Sequence, residues 1–254
     1  MVKETIIFLH GIVGNKNAFK KEIEKLKADY DCIAYDFYDP EDLGVEGFLS
    51  LDLLVEQLYN KYKKAGIEQA HLCTLSFGCI VAMAFAKKYP HMVISMTYVG
   101  GYCCKVPSQF NTNLRKVLKE KRKCEYDMWL KRYASMLSPN TAFIAEDSES
   151  IFFTYALLVH PHVLDYSIRL QLEFDTKAAL SQMQIPILWV MGEYDELYKS
   201  TLTHLKKYNP YVEYKEIKQA GHVAHIHQPQ QFLSLFQSFL TKHKLINRES
   251  LSGV

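Results

Sequence analysis

Thr74-Leu75-Ser76-Phe77-Gly78 is the stretch on which the reading of this chain turns. Before it, Ala70-His71-Leu72-Cys73 is short and apolar and predicts a buried strand. After it, Cys79-Ile80-Val81-Ala82-Met83-Ala84-Phe85-Ala86 is too uniformly apolar for a surface helix and predicts a buried one. Lys87-Lys88 suit the negative end of that helix's dipole, and Tyr89-Pro90 stops it. Ser76 therefore falls on a strand–turn–helix corner, with its hydroxyl exposed and its backbone strained. A serine that merely caps a helix N-terminus has the same local sequence, so these five residues alone leave two readings open.

Two other places separate those readings. Near the start, Thr5-Ile6-Ile7-Phe8-Leu9 is an apolar strand that runs into His10-Gly11-Ile12-Val13-Gly14. Near the end, Ile185-Pro186-Ile187-Leu188-Trp189-Val190-Met191-Gly192 is another, and it leads into Glu193-Tyr194-Asp195. A last strand, Val212 to Ile217, is followed by Gln219-Ala220-Gly221-His222. The chain order is Ser, Asp, His, each just past the C-terminal end of a predicted strand. Ligands and catalytic groups of open parallel sheets gather at that edge.

In His10-Gly11-Ile12, Thr74-Leu75-Ser76-Phe77-Gly78, Gly192-Glu193-Tyr194-Asp195 and Gly221-His222 the chain resembles the α/β-hydrolase superfamily. The resemblance covers nearly all of it, leaving out only the tail after about Lys244. It departs from the usual Gly-x-Ser-x-Gly at Thr74, while Gly78 is kept. The resemblance implies that Ser76 is a nucleophile on an elbow and His222 its base. Asp195 is then the carboxylate that orients His222, and the backbone N–H groups of Ile12 and Phe77 form the oxyanion hole. The expected function is that of a serine hydrolase. It would cleave a small, largely apolar carboxylic ester or thioester through an acyl-enzyme. Two alternatives on the same fold stay open. One is carbon–carbon bond hydrolysis or a lyase reaction like that of the menaquinone-pathway synthase, whose start resembles Leu9 to Gly14. The other is a small-ligand receptor without turnover. Serine at the elbow argues against the epoxide hydrolases and haloalkane dehalogenases, which place Asp there.

The rest of the chain predicts an α/β fold, a mainly parallel sheet of about six strands flanked by helices. Strands are expected at 5–10, 32–37, in the Ala70 to Leu75 run, and at 93–100, 185–192 and 212–217. Helices are expected at 16–28, 47–64, after Ser76, near 198–208 and at 229–243. In the helix at 16–28, Phe19, Ile23 and Leu26 are expected to face inward. Residues 1–101 and 181–254 read as the hydrolase core. Residues 102–180 read as several helices, which the resemblance implies form a lid inserted into it. That segment is rich in aromatics, including Phe110, Tyr126, Trp129, Tyr133, Phe143, Phe152, Phe153, Tyr155, Tyr166 and Phe174. Most of these are expected to be structural, and a few to line an apolar substrate cavity. The basic run Arg115 to Lys123 reads as a solvated helix face, against a sharper reading as an anion-binding patch.

Composition bounds the partners. Hydrophobic residues make up 48% of the 254 residues and charged residues 23%, which suits a globular chain with a sizeable core. A net charge of +2 gives no case for nucleic acid or an anionic membrane as an obligate partner. No apolar run approaches a membrane span, and Met1 to Thr5 lacks the form of a signal peptide, so a cytoplasmic protein with a small-molecule substrate is expected. The sequence is silent on oligomeric state. Cys32, Cys73, Cys79, Cys103, Cys104 and Cys124 form no CxxC pair and are expected to be free thiols, with Cys32 and Cys73 in buried strands. His222, His225 and His227 have the look of a metal site but lack an accompanying carboxylate or Cys ligand set. No metal or organic cofactor is expected.

Overall fold

The computed structural model describes residues 3–39, 49–104, 108–137 and 148–245. Its strands are β1 (Thr5–Leu9), β2 (Asp31–Ala34), β3 (Ala70–Leu75), β4 (Val93–Val99), β5 (Ile187–Gly192) and β6 (Val212–Ile217). They form one six-stranded sheet in the order β2-β1-β3-β4-β5-β6, and every neighbouring pair is parallel. From β1 the chain goes outward to β2, and from β2 it returns to β3 on the other side of β1. That reversal places a topological switch point between β1 and β3, where a crevice opens beyond the strand ends.

The helices of the core are α1 (Lys20–Leu26), α2 (Leu51–Ala65) and α3 (Phe77–Lys88). Five more lie between β4 and β5: α4 (Gln109–Glu120), α5 (Tyr126–Leu137), α6 (Ser148–Ala156), α7 (Pro161–Glu173) and α8 (Thr176–Ser181). The last four are α9 (Glu196–Lys199), α10 (Leu205–Tyr208), α11 (Ala224–His227) and α12 (Pro229–Lys242). Successive side chains of a strand point to opposite faces. Accordingly Ile7, Leu9 and Leu72 join one buried cluster, with α2, α3 and the helices after β4. Ile6, Phe8 and Cys73 join the other, with α1 and α12.

Several boundaries differ from the sequence expectation. The second strand stops at Ala34 rather than 37, because the Phe37 N–H is taken by the His10 ring instead of a strand neighbour. Cys32, expected to be buried, is only half-buried, since β2 is an edge strand. The helix expected at 16–28 opens as a tight 3-10 turn over Lys16–Phe19, where the Asn15 side chain accepts the Asn17 N–H, and its α-helical part runs over Lys20–Leu26. The single helix expected near 198–208 is two short turns, α9 and α10. Between them the Thr201 and Thr203 hydroxyls donate to the carbonyls of Tyr198 and Ser200, which a continuous helix would have used.

All six cysteines are free thiols. Among the described residues no helix is long and apolar enough to cross a membrane. Trp129 and Tyr133 are buried in the core of the region between β4 and β5. Phe143 lies outside the described residues. In the basic run Arg115 and Lys116 are exposed, whereas Lys121 is half-buried and pairs with Asp165 at 2.8 Å.

Candidate active site

Ser76 joins β3 to α3 with φ 49° and ψ −109°, a positive-φ conformation that costs a non-glycine residue on the order of 1–3 kcal/mol. Its side chain makes no cap bond to the helix it precedes. That excludes the capping reading of the local sequence and leaves a serine held in strain at the edge of the sheet. The corner is pinned from both sides. The Ser76 N–H donates to the Val99 carbonyl at 2.8 Å. A Cβ on Gly78 would lie 2.6 Å from the Leu9 carbonyl oxygen, so only glycine lets α3 approach the end of β1 this closely. Thr74 replaces the other glycine without conflict, because its hydroxyl is buried and donates to the Thr97 carbonyl of β4.

The ends of β5 and β6 bring Asp195 and His222 together. The N–H groups of Glu193 and Tyr194 donate to the carbonyls of Ile217 and Ala220, both at 2.9 Å. With the two loops tied, Nδ1 of His222 lies 2.8 Å from Oδ2 of Asp195, and both side chains are buried. Glu193 points elsewhere, to the Gln219 N–H and Lys218, and Glu196 is exposed. The other ring nitrogen, Nε2 of His222, is buried and has no hydrogen-bond partner among the described residues. Ser76 and His222 line one cavity of about 400 Å³, a size within the range of small-molecule sites. Gly11 and Ile12 form another part of its wall, and Phe152 and Tyr155 of α6 a further part.

The loop after β1 is held by His10. The Phe37 N–H donates to His10 Nε2 at 2.9 Å, so the proton of the neutral ring is on Nδ1, and Nδ1–H donates to the Gly11 carbonyl at 2.7 Å. Burial lowers His10 to about 4, which keeps the ring neutral and this pattern intact. The same carbonyl also accepts the Gly14 N–H at 3.0 Å. In a trans peptide the C=O of one residue and the N–H of the next point in opposite directions. Holding the Gly11 oxygen therefore sets the direction of the Ile12 N–H. Phe77 is the first residue of α3, so its N–H falls outside the helix's own hydrogen-bond ladder.

Two tyrosines stand at the site that the sequence analysis did not single out. Tyr198 is buried, and its ring centre is 4.3 Å from that of His222. Its spacing from Asp195, about one helical turn, was the available signal. Tyr38 donates to the Ile12 carbonyl at 2.7 Å and lies 3.0 Å from the Ser167 hydroxyl of α7, linking the loop after β1 to the helices between β4 and β5. Nothing local in the sequence marks that contact. The His-x-x-His-x-His run does not converge. His225 donates from Nε2 to the Ala18 carbonyl and stacks on Phe19, His227 accepts the Gly221 N–H, and His222 faces Asp195. Among the described residues no group of three or more metal-ligating side chains is placed to hold an ion. His160 and His162 are exposed, away from the cavity wall.

Comparison with known proteins gives a family and a fold. The family model described as "Alpha/beta hydrolase family" matches residues 6–235. No curated protein sequence matches the chain. Among solved structures, a hydrolase from Oleispira antarctica superposes with a TM-score of 0.82 at 14% identity, over 95% of this chain and 92% of that one. A thermophilic esterase from Thermogutta terrifontis gives 0.80 at 19% identity, over 95% and 92% of the two chains. MenH from S. aureus gives 0.76 at 18% identity, over 96% of each. At such identities the likeness is one of fold.

Proposed function

The chain belongs to the alpha/beta hydrolase family, and from that premise we propose that it is a serine hydrolase acting on a small, largely apolar carboxylic ester or thioester. Ser76 Oγ attacks the carbonyl carbon while Nε2 of His222 takes its proton. Asp195 holds the imidazole by its other nitrogen and stabilises the imidazolium that forms. The carbonyl oxygen, now an oxyanion, accepts hydrogen bonds from the Ile12 and Phe77 N–H groups. Collapse of this intermediate breaks the bond to the alcohol or thiol, which leaves with the proton from His222. Water, deprotonated by His222 in turn, then releases the acid and regenerates Ser76.

The observation that carries this reading is the pairing of His222 with Asp195 at 2.8 Å while Nε2, without a partner among the described residues, belongs to the cavity that Ser76 also lines. The fixed direction of the Ile12 N–H supports the oxyanion assignment. Residues 102–180 act as the lid in this reading, with Phe152 and Tyr155 of α6 meeting the acyl group. Each buried methylene contributes about 0.8 kcal/mol until the cavity is full. Labelling with a fluorophosphonate, followed by a series of p-nitrophenyl esters of rising acyl length, tests it. The adduct is expected on Ser76, and kcat/KM is expected to climb along the series and then fall. An adduct on another residue would refute the nucleophile. A steady decline from acetate onward would refute the apolar pocket.

A further inference from the structure

The wall of the cavity that holds Ser76 and His222 also includes Glu22 of α1. Glu22 is 2% exposed. It falls on the same helical stripe as Phe19 and Leu26, three positions after one and four before the other, among side chains that form the apolar layer under the sheet. Lys21 acts on it through charge. No side chain among the described residues gives it a hydrogen bond or an ion pair. Burial pushes it up to about 7.

Buried carboxyl groups in native proteins are paired or hydrogen-bonded, because leaving them so exposed to an apolar medium is unfavourable. This one has no such side-chain partner among the described residues and belongs to a residue of the cavity wall, which makes the cavity's contents its natural partner. The rest of the lining says what kind of group that is. Leu75, Phe152 and Ile226 are apolar, and among the described residues the other ionisable side chains in the wall besides His222 are Lys20, Lys21 and Tyr155. Two ammonium groups oppose a cationic ligand, and the apolar side chains disfavour a second anion beside Glu22. A hydroxyl satisfies the site in either state of the carboxyl, donating to the ionised form and accepting from the neutral one.

We propose that Glu22 determines specificity in this cavity by hydrogen-bonding a hydroxyl carried on the apolar part of the substrate, away from the scissile carbonyl. This rests on the reading of Ser76 as the nucleophile of the same cavity. The preferred substrate is then a hydroxylated aliphatic ester or thioester rather than a plain one. A trapped water is the rival partner for the carboxyl, and the test separates the two.

The test uses p-nitrophenyl alkylphosphonates with chains of roughly four, six and eight carbons, each ending in methyl, hydroxyl or ammonium. The readout is the rate of covalent labelling of Ser76, followed by p-nitrophenol release and mass spectrometry. In the wild-type protein the hydroxyl-ended probe is expected to react about tenfold faster than the methyl-ended probe of equal length, at the length that reaches Glu22. Glu22→Leu is expected to reverse that preference, and Glu22→Gln, which still accepts and donates, to keep part of it. Equal rates at every length in the wild type, or a preference unchanged in both variants, would mean that the carboxyl serves only water and would overturn the proposal. Fastest labelling by the ammonium-ended probe would overturn the hydroxyl class. Should Glu22→Leu fail to fold, the Glu22→Gln ratio decides alone. If no probe, the methyl-ended ones included, marks Ser76, it is the nucleophile reading that has failed, and the proposal goes with it.

Discussion

A Cβ on Gly100 would stand 2.8 Å from the His222 carbonyl oxygen and 2.9 Å from Cε1 of its ring. The residue after β4 and the loop that carries His222 thus share a space that only glycine leaves open, and Gly100 also sits at φ 61°. Its N–H donates to the Val190 carbonyl at 3.1 Å, so it has little freedom to retreat. Gly100→Ala is expected to push His222 off Asp195. Ester turnover should fall at least about tenfold and the melting temperature by several degrees, since the φ penalty alone is roughly 1–2 kcal/mol. Unchanged turnover would show that the loop moves aside at no cost.

Ser76→Ala is expected to remove roughly three or more orders of magnitude of kcat and leave folding intact. Ser76→Gly should be equally inactive but more stable than the Ala variant by about 1 kcal/mol, because glycine adopts the positive φ of the corner without strain. Urea unfolding of the two variants gives the difference. Equal midpoints would mean the corner carries no strain.

His10→Ala is expected to lower kcat by about a hundredfold with little change in KM. The imidazole holds the Gly11 carbonyl at 2.7 Å and so sets the direction of the Ile12 N–H, which in the proposed mechanism meets the oxyanion that exists only after attack. A rise in KM at constant kcat would place His10 in ground-state binding instead.

Stability should depend on pH in two opposed ways. Burial lowers His10 to about 4 and His225 to about 3. The unfolded chain binds protons at these positions below its ordinary value near 6.5, where the folded chain refuses them. Their contribution is present above pH 6.5 and lost as pH falls towards 4 and 3. Glu22, pushed up to about 7 from 4.5, does the reverse. Its contribution is present below pH 4.5 and lost as pH rises to 7, on the order of 3 kcal/mol in all. Glu22→Gln should therefore gain stability over the wild type at pH 8 and little at pH 4. In that variant the urea midpoint should fall steadily from pH 6.5 to 4. A gain independent of pH would mean that Glu22 does not titrate in this range.

Much of the fold was legible because it is written in local periodicity. Each apolar run of the central strands needs no partner to be recognised, and α3 is apolar on every side because the core surrounds it. The corner at Ser76 was legible for the same reason, as an abrupt change from strand to helix. The meeting of Asp195 and His222 was legible only through chain order and resemblance, since 27 residues separate them. What no local pattern carries is the choice between equivalent neighbours and the fate of polar side chains. Tertiary structure turned Glu193 to the Gln219 N–H and Asp195 to the imidazole. It split the three histidines after Gly221 among three different partners. It set the Tyr198 ring against the His222 imidazole. At Glu22 the helical repeat and the residue type disagreed: position 22 shares a stripe with Phe19 and Leu26, yet a carboxylate reads as surface. The sequence by itself determined the order of strands and helices and the strained corner, because those depend on residues near one another in the chain. Only the tertiary structure decided which polar groups face one another, because burial and hydrogen-bond geometry are set by segments that the fold brings together from far apart.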